Sequence, residues 1–197
     1  MKNSNVLLYA GMAAIIGSIT NIIILGSLYP NYSHVQQFIS ELGMDNAPHS
    51  FAFSLIVIIN GIFLTTSSLG IYKSIASITQ KRLLAGFSSL GITLLGVTFI
   101  FSGIFPLPDD RHEAYGIGLF FLTTPIFMAW SIKDIKSQNM FKYFQFGAFI
   151  TFIAVMLAVL IFGETDNQGL NQRIFVSCTY CWLFITYAYL LKQRAKQ

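Results

Sequence analysis

The densest group of chemically capable side chains lies in one eight-residue segment, Pro106–Glu113, which reads Pro-Leu-Pro-Asp-Asp-Arg-His-Glu. Its acids have a plain structural explanation, because Asp110 and Glu113 have the spacing of a capping box and suit the positive N-terminal end of a helix. Capping does not explain His112. A histidine at a helix N-terminus is disfavoured as a cation, so we expect a neutral imidazole that can be a metal ligand, a hydrogen-bond partner or a general base.

Two kinds of site use this histidine. In the first, His34, His49 and His112, with Glu41 or an aspartate beside them, resemble the ligand set of a catalytic zinc ion. No H-x-x-x-H spacing supports this set. Zinc is therefore the only cofactor that we consider, and the plainer expectation is that there is none.

The second kind of site needs no metal. Glu41 and His112 would hold a polar headgroup or small ligand, while Arg111 or Arg173 would contact a phosphate. His34 shares a predicted helix face with Glu41, and Glu164 faces the same compartment as His112. The candidate ligand-binding residues from this reasoning are His34, Glu41, Asp110, Arg111, His112, Glu164 and Arg173.

The elements that must position these residues are membrane-spanning helices. Six stretches without Asp, Glu, Lys, Arg or His are long enough, at about 20 residues each, to cross about 30 Å of hydrocarbon. They are Val6–Leu28, Phe51–Tyr72, Leu83–Phe105, Tyr115–Ile132, Tyr143–Phe162 and Ile174–Leu191. The sequence thus predicts one all-α domain over residues 1–197, and the first span exceeds the apolar core of a signal peptide.

Charge sets the expected direction of these helices. With the N-terminus inside, ten of the twelve basic residues fall on the cytoplasmic side, leaving Arg111 and Arg173 outside. Such an asymmetry is typical of the positive-inside rule, so we expect both termini in the cytoplasm. The ten residues are Lys2, Lys73, Lys81, Arg82, Lys133, Lys136, Lys142, Lys192, Arg194 and Lys196.

The outer face therefore receives most of the chemistry. All three histidines and seven of the eight acids fall there, and Asp134 alone lies inside. The longest outer connection also carries a helix signature, in which Ser33 caps and Gly43 terminates. Apolar residues recur at helical spacing between them, so we expect a short amphipathic helix over Ser33–Leu42.

Composition excludes several classes of protein. Apolar residues make up 54% of the chain and charged residues 10%, which is unsuited to a soluble domain. The net charge of +4 resides at helix ends, which favours orientation and lipid contact over nucleic acid. The P-loop, the dinucleotide fingerprint and G-x-S-x-G are absent from the sequence. Cys178 and Cys181 are expected to be structural thiols within one helix.

Several outer-loop motifs resemble one family. The string from Tyr29 to His34, followed by Ile39-Ser-Glu-Leu-Gly43 and Ala47-Pro48, is similar to the first outer loop of the prokaryotic domain-of-unknown-function family 998. The Gly103–Pro106 helix ending and His112 fit the same pattern. More distantly, the I-S-x-x-G pattern resembles the eukaryotic Frag/DRAM/Sfk membrane proteins. The resemblance implies a six-helix bundle without an established activity, and it singles out Ser40, Glu41, Gly43, Pro106 and His112.

These observations lead to one expected role and two alternatives. The expected role is a multi-pass protein of a prokaryotic plasma membrane that binds a lipid headgroup or small ligand at its outward face. The first alternative is an integral-membrane lipid hydrolase, with or without a metal, so whether the chain is an enzyme stays open. The second is a structural or regulatory subunit without its own ligand. Membrane lipid is the expected partner, nucleic acid is not, and a homo-oligomer or a partner membrane protein stays open.

Overall fold

The structure, a computed structural model, describes residues 2–162 and 166–196. Six segments in these ranges are long and apolar enough to cross a membrane, which confirms the predicted six-span architecture. The α-helices are α1 (Lys2–Leu28), α2 (Ser50–Thr79), α3 (Arg82–Ile104), α4 (Thr124–Ser131), α5 (Asn139–Phe162) and α6 (Gln168–Arg194). Short 3-10 helices cover Ile39–Gly43, Ala114–Thr123 and Lys136–Gln138.

Helices α2 and α3 touch backbone to backbone. A Cβ atom on Gly61 would lie 2.6 Å from the carbonyl oxygen of Gly96, and one on Gly96 would lie 2.7 Å from that of Gly61. Lipid tails give apolar helices no hydrophobic reason to associate, so close approach at small residues is what holds such helices together. Gly96 of the third span therefore has a packing role.

The fourth span differs from a regular α-helix. Its first ten residues, Ala114–Thr123, are 3-10, and α4 follows with Pro125 in its first turn. Ala114, Tyr115 and Gly116 all have positive φ, so the backbone at the start of this segment is not helical. A 3-10 helix rises about 2 Å per residue, so these 18 residues still cover roughly the thickness of the hydrocarbon layer.

The two ends of the bundle differ in their contacts. The first loop (residues 29–49), the loop 105–113 and the start of α6 meet at one end, where Phe38, Glu113 and Gln168 line one cavity. We call this the His112 end. At the opposite end, Lys81 and Asp134 form a 2.6 Å ion pair between neighbouring loops.

The first loop does not form the amphipathic helix that the sequence predicts over Ser33–Leu42. Ser33 Oγ does accept a hydrogen bond from the Gln36 N–H, and a 3-10 helix does end at Gly43. Between them, however, helix α6 takes the backbone groups that an α-helix would pair. The carbonyl of Val35 accepts from the Leu170 N–H at 2.9 Å.

The donor of the expected helical hydrogen bond, the Ile39 N–H, also has a partner in α6. The N–H of Ile39, which would bond to Val35 in an α-helix, donates to Oε1 of Gln172 at 2.6 Å. Tertiary partners thus replace the helical hydrogen bond. Ile39 and Leu42 then pack with Leu25 and Phe53 in a small apolar cluster that closes the His112 end.

Candidate functional site

His112, in the loop between α3 and the fourth span, is buried and hydrogen-bonded through both its backbone and its ring. It is 8% exposed, its backbone oxygen accepts from Ser102 Oγ at 2.8 Å, and its ring Nδ1 lies 2.8 Å from the carbonyl oxygen of Phe105. Because a carbonyl oxygen only accepts, Nδ1 carries the hydrogen. In the neutral ring this leaves Nε2 as a hydrogen-bond acceptor, fixed in direction by the contact on the other nitrogen.

His112 lines a cavity of about 130 Å³, which we call the His112 cavity. Its walls come from α1, α2, α3 and α6, and the 3-10 helix Ile39–Gly43 contributes Ile39 and Ser40. The site is therefore built from four helices and two loops that are far apart in the chain. Its polar lining includes Ser18, Asn21, Ser40, Ser102, His112 and Gln172.

Asn21, in α1, is the most unusual residue of this lining. It is only 4% exposed, and its Nδ2 makes a long hydrogen bond of 3.4 Å to the carbonyl oxygen of Phe53. Its buried Oδ1 has no hydrogen-bond partner among the described residues. Flipping the amide would place Oδ1 of Asn21 against the carbonyl oxygen of Phe53, so this carbonyl determines the orientation of the amide. An unpaired buried amide oxygen costs about 1–3 kcal/mol, and a bound donor would recover that loss.

The neighbouring polar groups in the cavity wall are already used. Ser18 Oγ accepts from Nδ2 of Asn60 at 3.0 Å, which joins α1 to α2. Gln172 Oε1 accepts from the Ile39 N–H, which joins α6 to the first loop. Asn21 Oδ1 and, in the neutral ring, His112 Nε2 are acceptor atoms of this wall without a hydrogen-bond partner among the described residues, and Ser40 adds a hydroxyl group to the lining residues.

Glu41 stands apart from this site. Its Oε1 accepts from the Phe38 N–H at 2.8 Å and its Oε2 from Nε2 of Gln37 at 3.1 Å, so the carboxylate caps its own 3-10 helix. The adjacent Ser40, not Glu41, lines the His112 cavity. The joint site of Glu41 and His112 stays a prediction, whereas Asn21 shares the wall of the cavity with His112.

Arg173 acts as a clamp between α6 and the first loop. Its Nη1 donates to the carbonyl oxygens of Gln37 at 2.8 Å and Gly169 at 2.9 Å, and its Nη2 donates to the Tyr32 hydroxyl at 2.6 Å. That hydroxyl in turn donates to the carbonyl oxygen of Phe38 at 2.7 Å. Burial raises the pKa of the Tyr32 phenol, and the neighbouring guanidinium opposes part of this rise. These contacts engage both Nη groups, while the buried Nε of Arg173 has no hydrogen-bond partner among the described residues.

Arg111 is engaged in the same way within its own loop. It forms a 2.6 Å ion pair with Asp109, and its guanidinium carbon lies 3.9 Å from the centre of the Phe105 ring. The side-chain and backbone hydrogen bonds from Arg111 lower the pKa of Asp109 to about 2. Asp110 is exposed, and Glu113 lines a separate cavity of about 340 Å³ beside α5 and α6.

The two remaining histidines are exposed and do not join His112. His34 packs edge-on against Tyr32, with ring centres 5.0 Å apart, and burial together with Arg173 lowers its pKa. His49 lies at the position before α2. Among the residues that the structure describes, no group of three His, Cys, Asp or Glu side chains could hold a metal ion. The proposed His34, His49 and His112 set is therefore not assembled.

Two further sequence candidates have simple outcomes. Glu164 lies outside the described residues. Cys178 and Cys181 are free thiols, half-buried and exposed respectively. Neither Asn21 nor Gln172 is among the candidate binding residues that the sequence predicts. The available signal for Asn21 was its polarity within the first apolar span, which does not reveal whether a partner is present.

Comparison of the chain with known proteins identifies a family. Residues 10–189 match the family model described as protein of unknown function (DUF998). No curated protein and no solved structure matches the chain. Since the match covers six apolar helices and the whole His112 cavity, the chain belongs to the DUF998 family of proteins of unknown function.

Proposed function

We propose that this protein binds a lipid headgroup or a small ligand in the His112 cavity. One observation carries the proposal: Asn21, whose buried Oδ1 lacks a partner among the described residues, lines the same cavity as His112. Binding sites are mostly apolar recesses with a few fixed polar groups, and this cavity has that character. Ser40 contributes a hydroxyl to the same wall, and membrane lipid is the expected partner.

The proposal includes an orientation. The ten basic residues of one side predict that both termini are cytoplasmic and that the His112 end faces outward across a prokaryotic plasma membrane. Exposed positions at the two ends test this, with Asn46 in the first loop and Ser137 near the Lys81–Asp134 pair. In a background lacking Cys178 and Cys181, an impermeant maleimide should label Asn46→Cys in intact cells and leave Ser137→Cys unlabelled. The reverse pattern would contradict the orientation.

Binding itself is tested by native mass spectrometry of protein extracted in a mild detergent. We expect one molecule retained per chain in the wild type and lost in Asn21→Leu, which removes the amide and nearly keeps the shape of the side chain. The matched control is Thr151→Ala, which removes a polar group from the exposed face of α5. Equal retention by all three proteins, with unchanged helical content by circular dichroism, would overturn the proposed function.

A further inference from the structure

The lining of the His112 cavity limits the charge of its ligand. Among the described residues that form its wall there is no Asp, Glu, Lys or Arg. Of the two cations of this end, Arg111 is paired with Asp109, and Arg173 donates to Gln37, Gly169 and Tyr32 and lies outside the described wall of the cavity. Burying a phosphate or an ammonium group without an opposite charge costs several kcal/mol. A charged head is therefore disfavoured here.

The available polar atoms limit the ligand further. Asn21 Oδ1 and, in the neutral ring, His112 Nε2 both accept hydrogen bonds and cannot donate them. A ligand that satisfies them must bring hydrogen-bond donors. An ether or ester oxygen alone would leave the buried acceptor of Asn21 unpaired.

The remaining lining suits the carbon part of such a molecule. Phe53, Val57, Phe99 and Val176 supply apolar walls around the polar groups. Asn21 lies seven residues before Leu28, the last residue of α1, and hence about 10 Å from that helix end. A head bound there would sit below the membrane surface, where an attached hydrocarbon chain finds an apolar environment.

We infer that the ligand presents an uncharged, hydroxyl-bearing head to Asn21 and His112, as a monoacylglycerol does. The inference rests on the proposed function, since it names the class of ligand for the same cavity. Hydroxyl groups supply the donors that both acceptors need and bring no net charge into a wall without a counterion.

Three lipids with the same oleoyl or oleyl chain test the inference. Monoolein carries an uncharged diol, oleoyl lysophosphatidic acid carries a phosphate, and oleylamine carries an ammonium group. Titration of the purified wild type, followed by native mass spectrometry, should show monoolein binding at least about tenfold more tightly than the other two, a difference of about 1.4 kcal/mol. Thr151→Ala should keep this order and Asn21→Leu should abolish monoolein binding.

A second variant tests the charge argument without relying on loss of binding. Asn21→Asp keeps the shape of the side chain and adds a carboxylate to the cavity. We expect it to raise the affinity for oleylamine relative to monoolein by about tenfold.

Free glycerol added as a competitor distinguishes a lipid ligand from a soluble polyol with the same hydroxyl groups. Competition by glycerol at the same concentrations as monoolein indicates a soluble polyol, and its failure to compete indicates a lipid.

The outcomes separate this inference from the proposal on which it rests. Tighter binding of the phosphate or ammonium lipid that still depends on Asn21 would overturn the uncharged head and leave the cavity as a binding site. Binding of all three lipids that is unaffected by Asn21→Leu would overturn both.

Discussion

The start of α6 touches the first loop backbone to backbone, because Gly169 lies directly against the carbonyl group of Gln37. A Cβ atom at position 169 would collide with the carbonyl oxygen of Gln37 and lie 2.8 Å from its carbonyl carbon. This contact holds the loop that carries Ser40 against the helix that carries Gln172. The first predictions concern this junction.

We predict that Gly169→Ala weakens the junction. Forcing a methyl group into a well-packed contact costs about 1–3 kcal/mol, and backbone atoms cannot move aside as a flexible side chain can. Reversible unfolding in mixed micelles should show this loss. Gly147→Ala on α5 is the control, because its Cβ would meet nothing within 4 Å, and it should be neutral or stabilising. Equal stability of the two variants would contradict the contact.

Arg173→Lys should release the first loop while keeping its charge. A lysine ammonium cannot reproduce the planar fork that reaches Gln37, Gly169 and Tyr32 together. Each hydrogen bond from a charged group contributes about 1.5–3 kcal/mol, so hydrogen exchange in residues 35–40 should become faster by at least about tenfold. Arg111→Lys, in the neighbouring loop, should leave exchange in residues 35–40 unchanged. Slow exchange in both variants would argue against a clamp.

Gly96→Ala should disrupt the packing of α2 against α3. The added Cβ would lie 2.7 Å from the carbonyl oxygen of Gly61, so the helices must separate. We expect a loss of about 1–3 kcal/mol in the free energy of unfolding. Gly86→Ala on the same helix has open space around its Cβ and provides the comparison. Gly86→Ala should be neutral or stabilising, because alanine has the higher helix propensity, and a loss of similar size in this variant would contradict separation of the helices as the cause.

The buried hydrogen bond between Ser67 and Tyr187 should contribute little on its own. The two hydroxyl oxygens lie 2.7 Å apart between α2 and α6. Interhelical hydrogen bonds in membranes average about 0.6 kcal/mol, because the unfolded helices also find partners in the bilayer. A double-mutant cycle with Ser67→Ala and Tyr187→Phe measures this coupling. A coupling above about 2 kcal/mol would mean that this pair holds the bundle together more strongly than membrane helices usually require.

The Asp109–Arg111 pair gives a pH-dependent signature. The pKa of Asp109 is lowered from 3.8 to about 2, so its protonation opposes the folded loop. The pair therefore adds stability above pH 3.8, and this contribution is lost as the pH falls through about 2. Carbon NMR of the labelled carboxyl group should show the low midpoint. In Arg111→Gln the midpoint should move up toward 3.8, and an unchanged midpoint would exclude the ion pair as its cause.

The membrane architecture follows from local properties of the chain. Apolar runs such as Val6–Leu28 contain no charged residue over the thickness of a bilayer, and no tertiary contact is needed to place them there. The six spans are confirmed, although the helices extend past several predicted boundaries. The predicted helix over Ser33–Leu42 was wrong because the backbone groups of Val35 and Ile39 form hydrogen bonds to α6 instead of to each other. Helix α6 lies more than 120 residues away in the chain.

The candidate site shows the same division. The sequence by itself determined the six apolar spans, the family resemblance of the outer-loop motifs and the selection of His112 as a candidate site residue. These depend on residue type and short spacing along the chain. Only the tertiary structure decided that Asn21 and Ser40 share a cavity with His112 while Glu41 and Arg173 bind backbone groups instead. The physical reason is that a polar atom's role depends on whether a partner stands within hydrogen-bond reach, and those partners come from helices far apart in the chain.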